Sequence, residues 1–496
     1  MDNIFYKSTR GGENNIRSTE AILKGIAEDG GLFVPNNIPK IDKSLKELIN
    51  MNYKELAYLV MSKFFTDFTE SELKDCIEKA YDDKFDTIDI AEIKKDSNNL
   101  FLELYHGPTL AFKDMALSIL PYLLTTAAKK ENIKKEIVIL TATSGDTGKA
   151  ALEGFTNVDG TKIIVFFPED GVSEIQKKQM VTHEGNNTYV IGIKGNFDDA
   201  QSGVKKIFTD EKFIKLLDSN DYMFSSANSI NIGRLIPQVV YYFYGYLKLC
   251  KIDEIVLGEE INVTVPTGNF GNILAAYYAK KMGLPIKKLI CASNDNKVLY
   301  EFIKTGKYDK LREFVTTISP SMDILISSNL ERLLYSISGE DTNKIRECMK
   351  SLDVNGKYVI TDEMKKELND FYGNFASESE TRKSINEVYN NSKYLMDTHT
   401  AVAYCVNEKY KKESGDTTKS LIISTASPYK FTYAVMNSLD NRFEQFSDFK
   451  LIKEMNKVIG QNEPRAIKNI EKKMIIHKTI CNKEEMESEV KKILGI

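Results

Sequence analysis

Twice in this 496-residue chain a short apolar run of strand type ends in a glycine-bearing loop and passes straight into a helical segment. The first copy is Ile137-Val138-Ile139-Leu140-Thr141-Ala142 followed by Thr143-Ser144-Gly145-Asp146-Thr147-Gly148-Lys149-Ala150-Ala151. The second is Ile261-Asn262-Val263-Thr264-Val265-Pro266, then Thr267-Gly268-Asn269-Phe270-Gly271-Asn272, then a helix over 273–282. Further strand-like runs at 162–167, 188–193, 288–292 and 420–425 alternate with helical segments. Strands alternating with helices favour doubly wound parallel sheets over bundles or sandwiches, so the fold class read here is α/β.

Each loop offers a place for an anion. Small residues let the backbone approach a bound group, and the free N–H groups of a helix's first turn favour negative charge. A nucleotide P-loop needs glycine at position 143 and a hydroxyl residue at 150; the chain has Thr143 and Ala150, so that reading fails. What remains for the first loop is a plain glycine turn with a helix cap, or a site for a small carboxylate or phosphate. In the second loop two glycines flank Asn269-Phe270 and permit a backbone curve with several N–H groups facing inward. Asn272 can cap the following helix, whose dipole would meet a phosphate dianion; an ordinary tight turn is the alternative.

A third stretch, Tyr105-His106-Gly107-Pro108-Thr109-Leu110-Ala111-Phe112-Lys113-Asp114, puts one lysine after a tight apolar turn. A lysine partly desolvated there has reason to lose its proton and act as an amine nucleophile, the starting point for a Schiff base with a carbonyl cofactor. The plainer alternative is a surface lysine in the first turn of a helix.

HGPTLAFKD, TATSGDTG and PTGNFGN, in this order, resemble the threonine synthase family, whose members use pyridoxal phosphate. The resemblance extends to 6–19, 29–35, 225–234, 397–404 and 424–431, so it runs to about Phe431; the stretch beyond is unmatched. It implies two doubly wound parallel-sheet domains of the pyridoxal-phosphate fold type II kind with a mainly helical N-terminal domain. It also implies conversion of O-phospho-L-homoserine and water to L-threonine and phosphate. Lys113 would be cofactor linker and acid–base group. Thr267, Gly268, Asn269, Phe270, Gly271 and Asn272 would hold the cofactor phosphate, and Thr425 would sit at the pyridine nitrogen. Ser144, Asp146, Thr147, Lys149, Asn228, Ser229, Asn231 and Arg234 would serve the substrate, with Arg234 chosen for its phosphate through a forked guanidinium contact. The chain departs from its relatives in having Asp146 for asparagine, Ser427 for histidine and Thr398 for proline. Two other pyridoxal enzymes, a phospholyase and a threonine dehydratase-like enzyme, share parts of this pattern, and so would a silent binding protein retaining the fold.

Length predicts two or three domains. With a polar break at 94–99, the expected units are 1–98, a large cofactor domain of 99–114 and 226–431, a small domain of 115–225, and a C-terminal extension of 432–496. Lys plus Arg number 67 against 71 Asp plus Glu, a net charge of -4, with no basic stripe to suit nucleic acid. Six scattered cysteines and four histidines lack zinc or redox spacing and read as reduced thiols and packing residues. No leader or membrane-spanning run is seen, so a cytoplasmic location and no membrane partner are expected, as monomer or homodimer. The tyrosine-rich 239–246 reads as a buried helix, and the charged 450–492 as a solvated helical face.

Overall fold

The computed structural model describes residues 3–143, 145–169 and 172–496. The larger of its two main sheets runs, edge to edge, through Phe371–Phe375, Ile286–Ser293, Ile261–Pro266, Ser420–Ser424, Asn99–Glu103 and Glu92–Asp96. The first five strands are parallel, and only Glu92–Asp96 is antiparallel to its neighbour. The polar stretch 94–99, read from sequence as a break between domains, is therefore corrected to the turn of an edge hairpin, with Ser97 in the left-handed region at φ 48°. Its charged residues belong on an edge strand, where they discourage pairing with other chains.

Successive residues of the central strands face two separate helical layers, which is why the runs are apolar throughout instead of alternating. Leu100, Leu102, Val263, Val265, Leu421 and Ile423 pack toward helices Pro237–Lys251 and Gly271–Met282. Phe101, Ile290 and Ile422 pack with Ala401, Val402 and Val406 of helix Thr398–Ser414. The tyrosine-rich helix is core, as its pattern indicates: Tyr241, Tyr242, Phe243, Tyr244 and Tyr246 are buried. A Cβ on its Gly245 would stand 2.9 Å from Leu102, so glycine lets this helix lie close on the sheet.

The smaller sheet is wholly parallel, in the order Ile480–Asn482, Thr188–Lys194, Thr161–Pro168, Glu136–Ala142 and Tyr222–Ser225. Its outer strand comes from the far C-terminal end of the chain. Met486, Val490 and Leu494 of helix Met486–Leu494 bury against Val138, Leu140, Phe166 and Ile191 beneath it. Before that crossing, Leu451, Ile452 and Met455 of helix Asp448–Ile459 pack on the large-sheet layer that holds Val406. The charged tail thus has its apolar faces buried on its own chain and its charges turned to solvent. The N-terminal region is mainly helical, with Ser18–Lys24, Tyr53–Ser62 and Glu70–Ala80, and a two-stranded antiparallel sheet of Tyr6–Ser8 and Phe33–Pro35. Among the described residues no helix is long and apolar enough to cross a membrane, and all six cysteines are free.

If the C-terminal strand and helix complete the small sheet, removing residues 480–496 uncovers one edge and one face of it. Hydrogen exchange should then quicken about tenfold or more across Thr188–Lys194 while Ile261–Pro266 stays protected. Equal protection in both proteins would show the tail to be dispensable.

Candidate active site

The site forms where the large sheet's central strands end and face the small sheet. Beyond Ser420–Ser424 the chain pairs with the lysine turn: the Phe112 N–H donates to the Thr425 carbonyl at 2.8 Å and the Ser427 N–H to the Leu110 carbonyl at 3.0 Å. The turn is closed from inside by Asp114, which accepts the Thr109 N–H at 2.8 Å and the Thr109 hydroxyl at 2.6 Å. Burial raises the Asp114 carboxyl to about 6. A Cβ at residue 107 would stand 2.5 Å from that carboxylate, so only glycine fits there.

Lys113 opens the short helix Asp114–Leu117, with 13 % of its side chain exposed. Its Nζ donates to Ser321 Oγ at 3.3 Å and lies 3.5 Å from Asp146 Oδ2. Burial pushes this amine below the usual lysine value; Asp146 opposes the shift, and Lys430 and Arg234 add to it. Asp146 also receives the Gln176 amide at 2.9 Å, the Ser321 hydroxyl at 3.0 Å and Lys430 Nζ at 3.2 Å. Burial alone would raise its pKa, but the ammonium groups of Lys430 and Lys113 outweigh it and hold the carboxyl well below the usual range. An ionised carboxylate is therefore fixed beside a lysine whose proton is loosely held.

The 267–272 loop has the form of an anion cradle. Phe270 takes a left-handed conformation at φ 64°, and helix Gly271–Met282 begins at once. The loop's carbonyls are tied outward: Ser327 donates to the Gly268 carbonyl at 2.7 Å, and the backbone and side-chain amides of Asn329 both reach the Asn269 carbonyl at 3.0 Å. Asn272 donates to the Pro266 carbonyl at 2.9 Å. Among the described residues the N–H groups of 268–272 make no hydrogen bond, and a Cβ on Gly268 would meet the Ser321 carbonyl at 2.6 Å. Thr425 is buried nearby, and its hydroxyl likewise makes no bond with the described residues. A lysine, a donor cradle at a helix start and a free hydroxyl fit a phosphorylated carbonyl cofactor.

Arg234 is 4 % exposed; among the described residues its side chain has only the Ala227 carbonyl as partner, at 2.9 Å, and its buried Nε has no hydrogen bond. Burial pushes its pKa down to about 10. Leaving a buried cation unpaired costs several kcal/mol, so such a group calls for an anion from outside the chain. Asn231 positions it: its amide holds the Ile22 and Ser226 carbonyls, and its Oδ1 caps the helix at the Gly233 N–H. Asn228 is exposed; Ser229 and Thr147 are half-buried. Lys149 is buried against Glu153 and His183, the latter at 2.9 Å. Ser144 lies outside the described residues.

Sequence reasoning missed Ser321, Gln176, Asn329 and Lys430. Lys430 lies within the matched 424–431 stretch, where a lysine in an apolar run was a signal; it is buried and donates to the Thr109 carbonyl at 2.6 Å. Arg332 was also unforeseen. It joins the Phe33 carbonyl, Asn329 and the Ile230 carbonyl, and so ties the N-terminal region to the segment that carries Arg234 and, through Asn329, to the 267–272 loop.

Family models extend over most of the chain: residues 5–81 match the threonine synthase N terminus, 90–426 the pyridoxal-phosphate dependent enzyme family, and 400–479 the threonine synthase C-terminal region. Threonine synthase from Saccharomyces cerevisiae is 35 % identical over 480 residues, covering 91 % of each chain. Human threonine synthase-like 1 is 42 % identical over 436 residues; the match covers 85 % of this chain and 58 % of that protein. The chain thus spans a little over half the length of such relatives. A crystal structure of pyridoxal-phosphate-bound threonine synthase from Brucella melitensis superposes with a TM-score of 0.87 at 33 % identity, covering 100 % of both chains. The lysine, cradle and orphan arginine at the strand ends, together with matches running from residue 5 to residue 479, show that the chain belongs to the threonine synthase family of pyridoxal-phosphate-dependent enzymes.

Proposed function

We propose that this protein is a threonine synthase, a lyase that converts O-phospho-L-homoserine and water to L-threonine and phosphate with pyridoxal 5'-phosphate as cofactor. The observation that carries the reading is the buried guanidinium of Arg234, which meets no carboxylate among the described residues and whose charge lowers the basicity of Lys113. A phosphorylated amino-acid substrate supplies the missing anion.

When bound, pyridoxal phosphate supplies an electron-accepting ring that makes the substrate's α and β carbons acidic. The N–H groups of 268–272 would hold its phosphate, and Thr425 would serve the ring nitrogen. A neutral hydroxyl there does not enforce a proton on that nitrogen as a carboxylate would, which suits elimination and replacement better than transamination. Lys113, its proton loosely held, takes protons from the substrate's carbons and returns them. Asp146 remains charged throughout and orients the amine. Arg234 binds the substrate phosphate and keeps its charge balanced as it departs; Asn231 fixes the loop that carries Arg234. Ser229, Asn228 and Thr147 serve as further donors. Lys149, paired with Glu153, reaches a phosphate only by releasing that partner.

The crevice separates a large unit, 92–114 with 226–431, from a small unit of 115–225 to which 480–496 is added. We place the enzyme in the cytoplasm on the strength of its unpaired thiols, and take it to act as monomer or homodimer. A phospholyase is the second reading, because Arg234 serves any phosphorylated amine; the products separate the two.

Given O-phospho-L-homoserine and pyridoxal phosphate, the protein should release phosphate and L-threonine in equal amounts, and Lys113→Ala should release neither. Phosphate without threonine would establish the phospholyase. Replacing the guanidinium in Arg234→Gln should raise KM for the phosphorylated substrate about a hundredfold, as expected for a buried charge-assisted contact. A KM near that of the unaltered enzyme in steady-state assays would remove Arg234 from the substrate site.

A further inference from the structure

Lys113 and Asp146 are a lysine and a carboxylate buried together, yet they do not form a close ion pair. The separation is 3.5 Å, and the nearer contact of Asp146 Oδ2 is the Ser321 hydroxyl at 3.0 Å. Ser321 donates its only hydroxyl proton to that oxygen, so it meets Lys113 with a lone pair. The hydroxyl stands beside the pair and touches both members, 3.3 Å from Lys113 Nζ and 3.0 Å from Asp146 Oδ2.

The place of Ser321 is set from behind. It lies in the short turn Pro320–Met322, and its backbone N–H donates to His399 Nε2 at 3.2 Å. Since Nε2 accepts, the ring proton is on Nδ1, which lies 2.7 Å from Asp397 Oδ2. Asp397 is fully buried and also accepts the N–H groups of His399 and Thr400 at 2.9 and 3.0 Å, where it caps helix Thr398–Ser414. The ring is wedged against Phe431 at 4.8 Å. On the other side the Ser321 carbonyl fills the space where Gly268 has no Cβ.

We propose that Ser321, held by the Asp397–His399 pair, occupies the near oxygen of Asp146 and thereby keeps the Lys113 amine free to react. Ser321 touches the reacting nitrogen; His399 and Asp397 act through it as positioning residues. The charged groups that act most on the amine are Asp146, Lys430 and Arg234; neutral His399 lies behind Ser321, with the carboxylates of Asp397 and Asp323 beyond it. A direct hydrogen bond between ammonium and carboxylate adds an attraction between opposite charges that one to a neutral hydroxyl lacks. Removing the hydroxyl therefore leaves Asp146 Oδ2 to Lys113 and makes the ammonium form more stable.

The inference rests on Lys113 being the amine that binds pyridoxal phosphate, and its test does not use turnover. Full-length protein freed of cofactor is mixed with pyridoxal phosphate from about pH 6 to about pH 10, and the rate at which the visible band appears is followed. Its midpoint reports deprotonation of the attacking amine. Ser321→Ala should raise the midpoint by about one unit, and Ser321→Thr should leave it in place. His399→Phe should shift it in the same direction as Ser321→Ala, and His399→Gln, which returns an acceptor to the Ser321 N–H, should shift it less. An unchanged or lowered midpoint in Ser321→Ala, or an equal rise in Ser321→Thr, overturns the proposal while the cofactor reading stands. No band in the unaltered protein would overturn the cofactor reading, and this proposal with it.

Discussion

The rest of the site depends on one backbone pairing, between 110–112 and 425–427 across the end of the large sheet. It folds an apolar turn over the end of a buried strand and leaves Lys113 with 13 % of its side chain in water. Desolvation is the largest influence on that amine. The turn costs something to close: Leu110 adopts φ 59°, and Asp114 is buried with its pKa raised. These are local strains of the kind that surround a functional group, offset here by the sheets on either side.

Around that lysine the structure sorts charge by distance. Asp146 is surrounded by cations and donors and stays ionised, whereas the Arg234 side chain, among the described residues, has a carbonyl for company and no carboxylate. The donors of 268–272 are unmatched in the same way. Positive potential without an internal counter-charge is what two phosphate groups require, one on the cofactor and one on the substrate. Arg332 links the loops that would hold them to the N-terminal strand Phe33–Pro35, which gives the N-terminal region a part in the site although it supplies none of its reacting groups.

The strands, the glycine loops and Lys113 were legible because each rests on residues adjacent in sequence: a run of apolar residues, a glycine spacing, a lysine after a turn. The sheet's edge was misread, since 94–99 is polar for the reason that edge strands are polar, and composition alone does not separate a hairpin from a linker. Ser321, Gln176 and Asn329 were invisible for a different reason. They reach the site from far away in the chain, as the Gln176–Asp146 and Lys113–Ser321 contacts illustrate, with separations of 30 and 208. The joining of the C-terminal strand Ile480–Asn482 to the small sheet is equally non-local, and no short motif announces it.

Lys430 and Lys149 are also buried, and each would be a rival for the cofactor if burial were the sole criterion. Both are already engaged at shorter range, Lys430 by Asp146 and the Thr109 carbonyl and Lys149 by Glu153, whereas Lys113 has a long contact to the Ser321 hydroxyl and lies 3.5 Å from Asp146. Borohydride reduction of the protein loaded with pyridoxal phosphate, followed by peptide mass spectrometry, decides among them. The account predicts the pyridoxyl group on Lys113 alone; its appearance on Lys430 or Lys149 would contradict the claim that the 110–112 pairing creates the reactive amine.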